Sequence, residues 1–138
     1  MKMTLDLAKR LVELALERAK QDFEMPITVA ICDDNGFLVT FARQEGCPLR
    51  GIQLSQSKAH TAVRMGVSTD VLFNRLKKDQ LDIRWFCDPL MTPLPGGSLL
   101  KDQDGKLLGA AGVSGMAAHE DNVITEYLAE LVSSGQVR

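Results

Sequence analysis

The pair Asn35-Gly36, set between two runs of β-forming residues, constrains this chain more than any other feature of its sequence. Ile27-Thr-Val-Ala-Ile-Cys-Asp33 leads into it and Phe37-Leu-Val-Thr-Phe-Ala-Arg43 leads away. Asn-Gly accepts positive φ at both central positions, so the pair predicts a hairpin closed by a tight primed turn. Both runs are apolar at nearly every position, which predicts a sheet with both faces covered. Asp104-Gly105 repeats the signal between strand-like runs at Ser98–Lys101 and Lys106–Val113. The two turns are expected to join neighbouring antiparallel strands of one sheet.

Helical periodicity supplies the covering layers. Residues 4–21 read as a helix with Thr4 as N-cap and Asp6 in the first turn. Leu5, Ala8, Leu11, Val12, Ala15, Leu16 and Ala19 share one face, widened by Leu7 and Leu14 to about 200°, against the ~100° that a singly packed helix needs. Either the helix is deeply seated or its second flank meets another subunit, and a homo-oligomer is expected on the latter reading. A second helix over Ile52–Met65 carries a stripe of small residues (Ser55, Ala59, Ala62, Gly66) that lets its backbone approach a neighbour closely. Ser68 caps a third helix, with Val67 placed to staple against Leu72, and Lys77-Lys78 mark its polar end. Arg84–Pro95, with its prolines, predicts a loop and a short edge strand. A final helix follows His119, with Glu120 and Asp121 in its positive first turn and Gly135 as C-cap. The order predicts a single α+β domain over residues 1–138, an antiparallel sheet with helices on both faces.

Composition narrows the function. Sixteen Lys and Arg against eighteen Asp and Glu leave a net charge of −2, and aromatics are 5% of the 138 residues. This removes the electrostatic argument for a dedicated nucleic-acid binder, and base-stacking platforms are not expected. Apolar runs stop far short of the about 18 residues that a membrane helix needs. Cys32, Cys47 and Cys87 are an odd number without CxxC spacing, which reads as reduced thiols in a cytoplasm. The phosphate-loop, zinc-protease and nucleophile-elbow motifs are absent, and no Cys or His pair has zinc-finger spacing.

The candidate site residues come from two glycine segments and one helix. Pro93-Leu-Pro-Gly-Gly97 and Gly109-Ala-Ala-Gly-Val-Ser-Gly115 free the backbone around Pro95, Gly96, Gly97, Gly112, Ser114 and Gly115. Those glycines serve either an anion-binding concavity or close packing and turns. Lys58 and Thr61 are the polar residues nearest the small stripe. Lys58 either snorkels to the surface or meets a carboxylate near the glycine strands. His60 lies on a polar flank with Gln53 and Arg64, exposed or at a subunit contact. His119 sits at a helix start, where the dipole disfavours its protonation. These two histidines are the whole inventory for a histidine-ligated haem or metal.

With these segments assembled, the chain resembles the GlcG/HbpS-like family, which includes haem-binding HbpS proteins, GlcG proteins and the C-terminal domain of PduO-type corrinoid adenosyltransferases. The resemblance rests on Leu5–Val12, Asp33–Val39, Phe41–Arg43, Ser57-Lys-Ala-His-Thr-Ala62, Pro93–Gly97 and Gly109–Gly115. It implies a profilin-like α/β/α sandwich with a five-stranded antiparallel sheet, often in higher oligomers. It also implies a small cytoplasmic binding or accessory module for haem or a corrinoid-related tetrapyrrole, serving glycerol or diol catabolism. On this reading His60 is favoured over His119 as the iron ligand. Two departures stand out: Gln53-Leu-Ser-Gln-Ser57 replaces an acidic, alanine-rich run, and Gln44-Glu45 replaces Met-Asp. The alternative is a small enzyme acting on a small carboxylate or aldehyde at a pocket formed by Lys58, Thr61 and the glycine loops.

Overall fold

A computed structural model describes residues 1–138. The elements follow in the order α1 (Leu5–Phe23), β1 (Thr28–Asp33), β2 (Leu38–Arg43), α2 (Gly51–Met65), α3 (Thr69–Asp79), β3 (Gly97–Lys101), β4 (Leu107–Ser114) and α4 (Ala118–Ser133). The strands form one antiparallel sheet in the order β2-β1-β4-β3. Helices α1 and α4 cover one face; Leu7, Leu11 and Ala15 of α1 and Ile124, Leu128 and Val132 of α4 pack there on Val29, Ile31, Ala111 and Val113. Helix α2 covers the other, with Ala59 and Ala62 against Cys32 and Ala110.

The sheet has four strands, not five. The expected edge strand in Arg84–Pro95 does not form; Ile83–Phe86 is instead a single 3-10 turn. Pro89, Pro93 and Pro95 offer no N–H to a ladder. The N–H groups of Leu90 and Thr92 are taken by the side chains of Asp88 and Thr61 at 3.0 and 2.9 Å.

Both hairpins close where expected, but not by two-residue primed turns. Only Gly36 has positive φ (86°) in the first and only Gly105 (81°) in the second. In each, an aspartate starts a three-residue loop: the Asp33 carbonyl accepts from Gly36 N and the Asp102 carbonyl from Gly105 N. Asp33 Oδ1 also accepts from the amides of Asn35 and Phe37, and Asp102 Oδ1 from those of Asp104 and Lys106. The carboxylate holds a type I turn, and the glycine supplies the left-handed residue that follows it. At Asp102 those backbone N–H groups hold the carboxyl below the usual carboxylate range.

The helix ends follow the sequence with corrections. Thr4 Oγ1 accepts from Leu7 N at 3.1 Å, as a capping threonine should. Leu14 and Leu16 are half-buried against the core, so α1 spends most of its broad apolar sector within its own chain; Leu5 is left 56% exposed. Ser68 stands at the N-cap of α3 without a side-chain cap bond. Glu120 reaches back to the Ala117 N–H at 3.2 Å to start α4, one residue before His119.

Gly105 has open space where a side chain would be, whereas a Cβ on Gly36 would lie 3.2 Å from His60 Nδ1. Gly105→Ala should therefore cost only the left-handed strain of about 1–2 kcal/mol. Gly36→Ala should cost measurably more, because it also displaces His60. Urea denaturation of the two variants checks both, and equal costs would mean that the His60 contact adds nothing.

Candidate functional site

Helix α2 lies almost on the backbone of β4. A Cβ on Gly112 would collide with the Ser55 carbonyl, and one on Gly97 with the Lys58 carbonyl. The glycines thus serve close packing, with Ser55, Ala59 and Ala62 presenting only small side chains to the sheet. This approach drives Lys58 inward. It does not snorkel: only 2% of its side chain is exposed. Its Nζ donates to the Val113 carbonyl at 2.8 Å and to Asp121 Oδ2 at 3.0 Å. Gly96 makes the room, since a Cβ there would come within 2.9 Å of both Nζ and the Asp121 Cβ.

Burial pulls the Lys58 ammonium below its ordinary value, against the attraction of Asp121. Burial likewise pushes the Asp121 carboxyl up to about 6, although Lys58 and the Met116 N–H favour its charged form. Asp121 Oδ1 accepts that N–H at 3.1 Å, so the pair ties α2, β4 and the start of α4 together. A cavity of about 130 Å³ adjoins it, lined by Arg50, Leu54, Ser114, Gly115 and Met116 among others.

The remaining expected residues separate. Thr61 does not line the Lys58 cavity: its hydroxyl donates to the Ser57 carbonyl at 2.6 Å and accepts from Thr92 N. Pro95 is a half-buried turn residue. His119 is exposed, the second residue of α4.

His60 points to the other side of α2, into an apolar cleft of about 300 Å³ between α2 and the β1–β2 hairpin. Ala30, Cys32, Phe37, Leu38 and Leu90 form its walls. The His60 ring is 19% exposed; its Nε2 lies 2.8 Å from Asp88 Oδ2, which Arg64 Nε also meets at 3.3 Å. Burial tends to raise the Asp88 carboxyl, but the contact with His60, the Leu90 N–H and Arg64 hold it below the usual carboxylate range. Burial raises the Cys32 thiol to about 12, so it is a wall of the cleft and not a nucleophile.

Two carboxylates escaped the sequence reading in different ways. Asp121 looked like a partner of the helix dipole and is in fact the counter-ion of Lys58. Asp88 lies in the proline-rich segment, where no periodicity predicts its position.

This fold, with a buried lysine on one side of α2 and a histidine cleft on the other, can be set beside known proteins. The model of the family described as "Haem degrading protein HbpS-like" matches residues 3–130, and the chain belongs to this HbpS-like family. Among curated relatives, Protein GlcG of Escherichia coli K12 is 28% identical over 108 residues, covering 78% of each chain. The crystal structure of HbpS superposes with a TM-score of 0.84 at 25% identity, covering 96% of this chain and 91% of that one. The PduOC–haem complex gives 0.83 at 25% identity over 94% of each chain.

Removing one partner of the Lys58–Asp121 pair should be severe. Lys58→Met strands a buried carboxylate and should cost about 3–5 kcal/mol, while Lys58→Met with Asp121→Leu should recover most of the loss. The sign with pH follows from the raised carboxyl. Folded Asp121 holds its proton up to about 6, above the ordinary 3.8. Its share of stability therefore falls as pH rises from about 4 to about 6 and is level above that. Urea midpoints across this range should slope less in Asp121→Asn than in the wild type; parallel curves would mean an ordinary carboxyl at position 121.

Proposed function

We propose that this protein is a binding module for haem or a related tetrapyrrole, and that the ligand sits in the cleft between α2 and the β1–β2 hairpin. The observation that carries the reading is a carboxylate-held histidine at an apolar cleft of about 300 Å³. That volume is at the lower end of small-molecule sites, roughly 300–1,000 Å³. The residues present suit the group. Phe37, 70% exposed, and Leu38 and Leu90, also exposed, offer an apolar wall to a flat macrocycle. Arg64, which shares Asp88 with His60, is the candidate cation for a propionate. His60 is the candidate axial ligand, and bound haem would supply an iron centre for ligand binding or electron transfer. The family description and the haem complex of PduOC support the ligand class.

His60 Nε2 is not open in this conformation. Nε2 faces Asp88 and Nδ1 lies over Gly36. Ligation through Nε2 requires Asp88 to withdraw, so Asp88 competes with iron for the same nitrogen. Haemin titration followed at the Soret band should show a saturable shift in the wild type. His60→Ala should lose it, His119→Ala should keep it, and Asp88→Ala should bind more tightly. Equal, non-saturating spectra for all four proteins would leave only adsorption to apolar surface and would overturn the reading.

The cleft is open on the side of Phe37 and Leu38, and a second copy of the chain would cover the macrocycle that one chain leaves exposed. Exposed Leu5 on α1 adds an apolar contact to the same expectation of a homo-oligomer. Light scattering should give a mass of at least twice 15.1 kDa; a monomer at working concentration would overturn this part.

A further inference from the structure

We propose that Lys58 is the amine of a second site, separate from the histidine cleft, that captures a small 2-oxo acid as an imine. The cavity beside Lys58 and the cleft beside His60 share no lining residue, because α2 stands between them. Lys58 and Asp121 form one wall of that cavity, and Ser114 and Gly115, at the end of β4, form another. Its volume of about 130 Å³ corresponds to roughly four waters at about 30 Å³ each, the scale of a molecule with a handful of heavy atoms.

Three features select the ligand class. An ammonium has three N–H bonds, and Val113 and Asp121 take two of those of Lys58, leaving the third without a partner. Arg50, exposed at the same cavity, makes no ion pair and is available to a carboxylate. The first turn of α4, through Ala118, brings the positive end of a 16-residue helix to the same space. A carboxylate held by Arg50 would direct an adjacent carbonyl carbon towards Nζ.

Asp121 is placed to move the protons. Its carboxylate, 3.0 Å from Nζ, takes one proton from the ammonium. The freed amine attacks the carbonyl carbon, the C=O π pair moves onto oxygen, and a proton passes from nitrogen to that oxygen to give a carbinolamine. The acid form of Asp121 then returns a proton to the departing hydroxyl, which leaves as water, and the C=N bond remains. Burial serves this chemistry, because it favours the neutral forms of both partners and so eases the transfer between them.

The test uses the full chain, pyruvate as probe and sodium cyanoborohydride to reduce any imine to a stable amine. Intact mass should report a single adduct, and peptide mapping should place it on Lys58, with the exposed Lys9 and Lys20 unmodified. Arg50→Gln, a surface change, should lower the labelling rate about tenfold by removing a charge-assisted hydrogen bond. His60→Ala should leave labelling unchanged, which separates this site from the haem reading. No adduct on Lys58, or one spread evenly over the exposed lysines, would overturn the proposal. Because the mapping is done on the wild type, the outcome does not depend on whether a Lys58 variant folds.

Discussion

The close seating of α2 on β4 is the constraint from which the rest of the interior follows. With Gly112 bare beneath Ser55 and Ala59, and Gly97 bare beside the Lys58 carbonyl, helix and sheet meet without the usual layer of large side chains. A long side chain on this face has no path along the interface to solvent. Lys58 therefore ends in the interior, where an ammonium needs a counter-charge and hydrogen-bond acceptors. Asp121 and the Val113 carbonyl meet that need, and Asp121 thereby ties the first turn of α4 to α2 and β4.

The same helix divides the molecule's polar chemistry into two compartments. On one side lies the Lys58–Asp121 pair, buried and braced by backbone groups. On the other, His60 is half-buried and shares Asp88 with Arg64 at the edge of an apolar cleft. The segment after the 3-10 turn links the second compartment to the scaffold: Asp88 reaches His60, and the Thr92 amide donates to Thr61. Those two contacts replace the ladder bonds that its prolines cannot make.

Local signals in the chain were sufficient for the hairpins and the helices. Aspartate and glycine at the loop positions, apolar runs on either side and small residues at helical spacing act through neighbours in sequence, so they are readable there. The turn type was not. Asn35 could take positive φ, but the Asp33 carboxylate bonds the Asn35 and Phe37 amides and selects a type I turn with only Gly36 left-handed. The fifth strand, expected both in Arg84–Pro95 and from the family resemblance, likewise does not form, because the prolines of that segment offer no N–H to a ladder.

By itself, then, the sequence determined an antiparallel α+β layer structure, its two hairpin positions and the small-residue stripe on which α2 packs. These depend on periodicity and on backbone conformations that individual residues permit. Only the tertiary structure decided which charges meet. Lys58 and Asp121 are 63 residues apart and His60 and Asp88 are 28 apart, and no local rule fixes a distance between them. Their pairing follows from how far α2 sinks towards β4 and from how the proline-rich segment crosses it. Burial then gives the Lys58–Asp121 pair its chemistry, because charge is costly wherever water is excluded.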